Sequence, residues 1–301
     1  MGDGSSYAGS QVTHTYDSLG PFEATLTVTD DDGASSTATV NIDVYAQAAG
    51  YYTGTLYSNV TQTFTDLEVI IGANHELHAW DWVNYRTYYW GPFSMDADGA
   101  TGTLSAIIYT SGFVFPDGST KGSVDLDATV FARQSITGTY VGVGDNGTID
   151  VQYLPALSER PSSLVEVSGV WMDDYATIMI SQSGELDYSD IAGCTGLGQM
   201  AVLEPELNGF KVQWDWNCPN LEPQWVGPSS GLVFIDDYYD PGTQWMVFAE
   251  ALLDGTDTFI WSIRRPAPVA VSGSKASSMK SDAVTKYTRG MRRPKIARLG
   301  R

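Results

Sequence analysis

Short strand-sized runs separated by turn residues recur along most of this chain, and they constrain its fold more than any other feature. A first series of predicted strands covers residues 51–57, 66–71, 75–82, 86–93, 101–109, 122–128, 135–141 and 148–153. A second series covers residues 166–171, 176–182, 185–189, 198–204, 210–216, 231–235, 245–250 and 258–263. No window has a convincing 3.6-residue apolar periodicity, so the sequence predicts an all-β protein with little helix.

The two series are separated by residues 154–164, which are rich in Pro and Ser and break the pattern. Regular short strands with turns between them are typical of antiparallel sandwiches and barrels. We therefore expect one antiparallel β-barrel or β-sandwich at residues 50–155 and another at 165–265. The alternative is a single sixteen-stranded body with no division between the two series.

Charge is distributed very unevenly between the body of the chain and its end. Residues 1–274 hold 7 of the 16 basic residues and 35 of the 36 acidic ones, a net charge of −28, whereas the remainder carries +8. An acidic body repels nucleic acid and anionic membrane, so neither is an expected partner. The basic segment 266–301 is predicted to be a disordered tail, either without function or an arm for anionic surface polymers. No apolar run is long enough for a membrane helix.

The N-terminal residues contain several short blocks in a recognisable order. Gly2-Asp3-Gly4-Ser5 is followed by Thr13-His14-Thr15-Tyr16, then by Gly20-Pro21-Phe22 and by the run from Leu26 to Ala34, which ends in Asp30-Asp31-Asp32-Gly33-Ala34. This pattern resembles the second half of a PKD domain, an immunoglobulin-like fold, and we assign it to residues 1–45. A short strand at 13–16 and a hairpin around the Asp-Gly turn are expected, with a structural role for His14.

The PKD resemblance implies a setting outside the cell, at a surface, in the periplasm or secreted, where such domains serve as spacers or interaction modules. The family's first strands have no counterpart here, and no export signal precedes Gly2. The resemblance therefore implies that the natural protein has further domains upstream.

The two strand series each begin with a small residue followed by aromatics, as in Gly50-Tyr51-Tyr52 and Gly169-Val170-Trp171. Such openings resemble those of lipocalin-like and avidin-like barrels, and the region as a whole is similar to β-barrel-like domains of bacterial secreted proteins and lipoproteins. The resemblance favours meandering antiparallel barrels over other arrangements.

The chain has only two cysteines, Cys194 and Cys218, both in the second strand series. An even pair in an extracellular chain predicts a disulfide bond. The pair lacks the additional His or Cys ligands of a zinc site, and no metal ligand or cofactor is predicted.

Two aromatic groups are candidates for ligand binding. The first lies on one face of two consecutive strands and consists of Glu76, His78, Trp80, Trp82, Tyr88 and Trp90. The second is Trp214 and Trp216, which share a strand face with Val212. Aromatic rings beside carboxylates and hydroxyls can hold sugars; the alternative in both cases is that the rings fill a barrel core.

No catalytic residue is predicted, because the sequence contains no nucleophile elbow, phosphate loop or dinucleotide fingerprint. We expect a non-catalytic extracellular binding or adhesion module, whose partner is a glycan, a surface protein or a small ligand. Two alternatives remain open: a secreted hydrolase acting through a pair of carboxylates or a Ser/His pair, and a purely structural spacer.

Overall fold

The computed structural model describes residues 1–44, 46–81, 87–96, 99–108, 112–218, 225–237, 243–253 and 258–265, without the side chains of Trp225 and Phe259. Strands make up 62% of the chain and helices 3%, so the predicted all-β class is confirmed. The predicted tail, 266–301, lies outside the described residues.

The N-terminal segment contributes a single antiparallel hairpin of two strands, β1 (Gly20–Thr29) and β2 (Ser35–Val44). Its turn is closed by the Asp30 side chain, which accepts a hydrogen bond from the backbone N–H of Ala34 at 2.7 Å, and Gly33 adopts a φ of 86°. The strand expected at residues 13–16 is not formed. Instead His14 contacts Asp3 at 2.6 Å and Tyr7 at 3.1 Å, so side-chain bonds organise this segment in place of a strand ladder.

The first strand series forms a closed antiparallel barrel. Its strands are β3 (Gly50–Ser58), β4 (Thr63–Ile71), β5 (Glu76–Asp81), β6 (Thr87–Pro92), β7 (Ser94–Met95), β8 (Gly99–Ile108), β9 (Lys121–Phe131), β10 (Ser135–Gly142) and β11 (Asp145–Tyr153). Pairing of β3 with β11 and of β6 with β8 closes the barrel, and β7 is a short addition beside β8.

Alternation along each strand separates the core of this first barrel from its surface. In β9, for example, Val124, Leu126 and Ala128 point inward and are buried, while Asp125 and Asp127 point outward. The inward side chains of the eight closing strands are mainly aliphatic, with Tyr52, Tyr140 and Tyr153 among them. The outer surface between them is rich in Thr and Asp.

Two single-turn helices connect the barrels: α1 (Pro155–Ser158) and α2 (Leu164–Val167). The Ser158 hydroxyl oxygen accepts a hydrogen bond from the Tyr51 backbone N–H at 2.9 Å, which ties the connector to the first barrel. The Ser162 backbone N–H donates to the Pro205 carbonyl at 2.9 Å, which ties it to the second barrel. The break predicted at 154–164 is therefore a connector that is hydrogen-bonded to both barrels.

The second strand series is a simple meander in which each strand pairs with the next. Its strands are β12 (Gly169–Met172), β13 (Ala176–Ile180), β14 (Glu185–Asp190), β15 (Thr195–Val202), β16 (Phe210–Cys218), β17 (Trp225–Asp236), β18 (Trp245–Leu252) and β19 (Thr258–Arg264).

The first and last strands of this meander approach each other without a hydrogen-bonded ladder, so the second barrel is nearly closed. Arg265 bridges the gap: its guanidinium donates to the carbonyls of Glu166 at 2.5 Å and Ser168 at 3.4 Å, and it lies 4.7 Å from the Trp171 ring. The two strand series thus form two separate sheets. The predicted disulfide between Cys194 and Cys218 is confirmed and lies within the second barrel.

Candidate functional site

The first predicted aromatic group lies on the outer face of the first barrel, where the second barrel covers it. In the antiparallel register of β5 and β6, His78 is opposite Trp90 and Trp80 is opposite Tyr88. His78, Trp80 and Tyr88 are at most 2% exposed. These rings do not fill the barrel interior, so that alternative is wrong; they form the junction between the barrels. Trp82 lies outside the described residues.

Apolar side chains from both barrels surround this group at the junction. Tyr51, Ile70 and Ile107 of the first barrel pack in one cluster with outward side chains of the second. Those of the second barrel are Leu232, Phe234, Val247 and Ala249, and the rings of Tyr51 and Phe234 lie 4.8 Å apart. The junction therefore has its own hydrophobic core.

A chain of polar contacts crosses the same junction. The Nε2 atom of His78 is 2.8 Å from a carboxylate oxygen of Glu76, and its Nδ1 atom is hydrogen-bonded to the Tyr88 hydroxyl. The other oxygen of Glu76 forms an ion pair with Lys211 of the second barrel. Complete burial lowers the pKa of His78, opposing the hydrogen bond and charge of Glu76, so the imidazole is neutral at pH 7.

Neutral His78 fixes the direction of the chain of hydrogen bonds. Its Nε2–H donates to Glu76, and its Nδ1 accepts from the Tyr88 hydroxyl. Burial would raise the pKa of Glu76, but the hydrogen bond from His78 and the charge of Lys211 outweigh burial, lower the pKa below its ordinary value and hold this carboxyl ionised. The network therefore joins the two barrels through the ion pair between Glu76 and Lys211.

A second carboxyl at the junction, that of Glu68, has a raised pKa, whereas the pKa of Glu76 is lowered. Burial raises the pKa of Glu68 to about 7, and the nearby Asp236 adds to the effect. Hydrogen bonds from Tyr51 and from the Trp80 indole N–H, the latter at 2.9 Å, limit the rise without cancelling it. No cation balances this carboxyl in the way that Lys211 balances Glu76, as far as its described contacts go.

The second predicted aromatic group, Trp214 and Trp216, lies inside the second barrel. Both are at most 4% exposed, and their ring centroids are 4.9 Å apart. They pack with three further rings, those of Tyr188, Phe248 and Trp261. The shared face of these two residues is therefore turned inward, as in the core-filling alternative, and ligand contact by them stays a prediction.

A buried carboxyl, Glu250, lies among these rings. It accepts hydrogen bonds from the Ser229 hydroxyl at 2.7 Å and from the Trp261 indole N–H at 3.0 Å, while Trp216 donates to Ser229 at 2.9 Å. Complete burial raises the pKa of Glu250 to about 7 despite these donors. The Trp214 indole N–H is buried without a hydrogen bond of normal geometry.

The interior of the first barrel has little room for a ligand. One cavity inside it has a volume of about 30 Å³ and is lined by aliphatic side chains and by Tyr89 and Tyr140. Pockets for drug-sized molecules measure roughly 300 to 1,000 Å³. Among the residues that the structure describes, no three His, Cys, Asp or Glu side chains are grouped to hold a metal ion.

An accessible aromatic pair lies instead on the outer face of the first barrel. Phe64 is 70% exposed, and its ring centroid lies 4.7 Å from that of Tyr57, directly opposite on β3. Tyr57 is in turn opposite Thr148 on β11. We call Tyr57 and Phe64, with the polar side chains around them, the aromatic platform.

Hydroxyl and carboxylate groups surround the aromatic platform. The next outward row places Thr55 between Asp66 of β4 and Asp150 of β11. Asp150 accepts a hydrogen bond from the Gln152 side chain at 2.7 Å, which orients its carboxylate. The arrangement combines an exposed ring with hydrogen-bonding groups that point to solvent.

Sequence reasoning missed the aromatic platform because the strand predicted at 66–71 begins at Thr63 in the structure. The available signal was Phe64 between two threonines, Thr63 and Thr65, directly before the predicted strand. Strand alternation would have placed Phe64 on the outward face with Asp66.

Comparison with known proteins identifies one family. Residues 1–44 match the PKD domain family, which confirms the resemblance of the N-terminal segment. No curated protein and no solved structure matches the chain. PKD domains are typically extracellular, in keeping with the predicted compartment. Among the described residues, no helix has the length and apolar character needed to cross a membrane.

Proposed function

We propose that this chain is a non-catalytic extracellular module of a bacterial surface or secreted protein, and that its first barrel binds carbohydrate through the aromatic platform. The exposed Phe64 ring beside Tyr57 is the observation that carries the proposal. An aromatic ring can stack on the C–H face of a sugar, and the stack is strongest where the ring is already held in place. The PKD domain supports the extracellular setting.

The polar surroundings of the platform support a glycan over an apolar partner. Thr55, Thr148 and the carboxylates of Asp66 and Asp150 lie within one or two strands of the rings and can hydrogen-bond sugar hydroxyls. The same carboxylates disfavour uronic or sialic acids through like-charge repulsion. We therefore expect a neutral or amine-bearing glycan.

The test is a glycan-array screen of the intact chain, followed by affinity measurement on the best neutral or amino-sugar ligand. Phe64→Ser is expected to weaken binding about tenfold, as the loss of one stacking contact implies. Phe131→Ser is the matched control, because Phe131 is 50% exposed on the same barrel but lies several strands away. It should leave affinity unchanged.

Three outcomes contradict the proposal. Equal loss of affinity in both variants would show that exposed phenylalanines bind without specificity. Absence of binding to every glycan would favour the spacer alternative. Release of reducing sugar from a bound polymer would show that the module is a hydrolase.

A further inference from the structure

The outer face of the second barrel carries a row of exposed apolar side chains. Val170, Met179 and Leu197 lie on β12, β13 and β15 and are 44%, 57% and 66% exposed. In the strand register, Val170 is opposite Met179, and Asp187 of β14 lies between Met179 and Leu197. We call these three apolar residues the outer apolar row; with strands about 4.8 Å apart, it extends for roughly 15 Å.

Negative charge accompanies the outer apolar row. Asp187 lies within it, and Asp215 is opposite Leu197 on the next strand. Between residues 169 and 218 the only basic residue is Lys211, which is paired with Glu76 at the junction. Residues 165–265 contain 3 basic and 16 acidic residues. An occupant that fits this face must therefore combine apolar side chains with positive charge.

Arg265, which precedes a segment with this composition in the sequence, lies next to the row. Arg265 is the last described residue, and its guanidinium bonds the carbonyls of Glu166 and Ser168, two residues before Val170. The 36 residues that follow can reach about 120 Å when extended, far more than the row requires.

The sequence of that segment complements the face. Residues 275–301 hold nine Lys and Arg residues and a single acidic residue, Asp282. Six larger apolar side chains are interspersed among the basic ones: Met279, Val284, Tyr287, Met291, Ile296 and Leu299. A second copy of this chain is a poorer occupant, because it would bring a second acidic barrel against the first.

We propose that segment 275–301 docks on the outer apolar row of its own second barrel, its apolar side chains covering Val170, Met179 and Leu197 and its cations facing Asp187 and Asp215. The docked segment shields this face from other partners. The proposal is independent of glycan binding by the first barrel.

The test is limited trypsin digestion of the intact chain at low ionic strength, with cleavage after the basic residues of 275–301 followed by intact mass. Docking should slow this cleavage, and the double substitution Met179→Ser/Leu197→Ser should accelerate it about tenfold through loss of apolar contact. The matched control is Phe131→Ser/Val141→Ser on the first barrel, whose side chains are 50% and 60% exposed. It should leave the rate unchanged. Circular dichroism verifies that both variants fold.

Salt provides the second arm of the test. Raising the ionic strength to about 0.5 M should speed cleavage in the wild-type chain and have little effect in the Met179/Leu197 variant. Equal cleavage rates in the wild-type chain and that variant would overturn the proposal. Protection that increases with protein concentration would overturn it as well, because the segment would then dock on a neighbouring copy.

Discussion

The interiors of the two barrels are filled by different kinds of side chain. The first barrel is filled mainly by Leu, Val, Ile and Ala and keeps a cavity of about 30 Å³. The second is filled around β16 by large rings, for which Gly196 and Gly198 make room: a Cβ at Gly198 would lie 2.8 Å from the Trp214 ring. Small residues beneath large rings let those rings pack closely against the strand backbone.

The aromatic interior also has a polar consequence that the aliphatic one lacks. Each indole brings an N–H donor into the core, and a buried donor without an acceptor is destabilising. Glu250 and Ser229 accept from Trp261 and Trp216. The same burial that makes the carboxyl useful as an acceptor raises its pKa to about 7. A core built from tryptophan thus becomes sensitive to pH.

The largest expected effect comes from removing a ring from the second barrel. Trp214→Ala should lower the free energy of unfolding by about 4 kcal/mol, because the side chain is 2% exposed and leaves a large void. Urea denaturation followed by circular dichroism measures the change. Phe64→Ser, at an exposed ring, serves as control and should cost less than about 0.5 kcal/mol. A loss below about 1 kcal/mol for Trp214→Ala would contradict close packing around β16.

The second-largest expected effect is a change of folding stability with pH, caused by the carboxyl of Glu250 inside the second barrel. The folded pKa of Glu250, about 7, lies above the ordinary value of 4.5, so its neutral form favours folding. This stability is fully present below pH 4.5 and is lost as pH rises through 7. Glu250→Gln stays neutral, so its stability relative to wild type should increase by roughly 3 kcal/mol between pH 4.5 and 8.

Denaturation of wild type and Glu250→Gln at several pH values measures that difference. The same measurement on Glu68→Gln provides a comparison, because the pKa of Glu68 is raised to the same value but this carboxyl lies at the junction between the barrels. A difference between wild type and Glu250→Gln that is constant over this pH range would show that folding leaves the pKa of Glu250 at its ordinary value.

The smallest expected effect is the change in stability when a buried valine is replaced by isoleucine in each of the two interiors. Val124 lines the cavity of the first barrel, so Val124→Ile should add apolar contact and stabilise by about 0.5 to 1 kcal/mol. Val212 is fully buried beside the rings of the second barrel, where Val212→Ile should destabilise by about 1 kcal/mol or more through overpacking. Thermal denaturation of both variants reveals the signs. Two changes of the same sign would mean that the interiors are equally dense.

Local sequence pattern predicted most of the strands, because alternation and turn residues act over a few positions. It correctly placed Trp214 and Trp216 on one strand face, and His78, Trp80, Tyr88 and Trp90 on another. It could not reveal that the second barrel covers the latter face, since the contacts involved, such as Glu76 with Lys211, join residues 135 positions apart. The strand at 13–16 failed for a related reason: strands need partners, which short patterns do not specify.

The connector between the barrels has a mechanical consequence. The chain enters the first barrel at Gly50, where Tyr51 is bonded to Ser158, and leaves the second at Arg265, which is bonded to Glu166. Arg160, which lies between these two attachment points, forms an ion pair with Glu166 at 2.6 Å. Tension applied along the polypeptide from residue 50 to residue 265 would therefore act on the short connector together with the packed junction between the barrels.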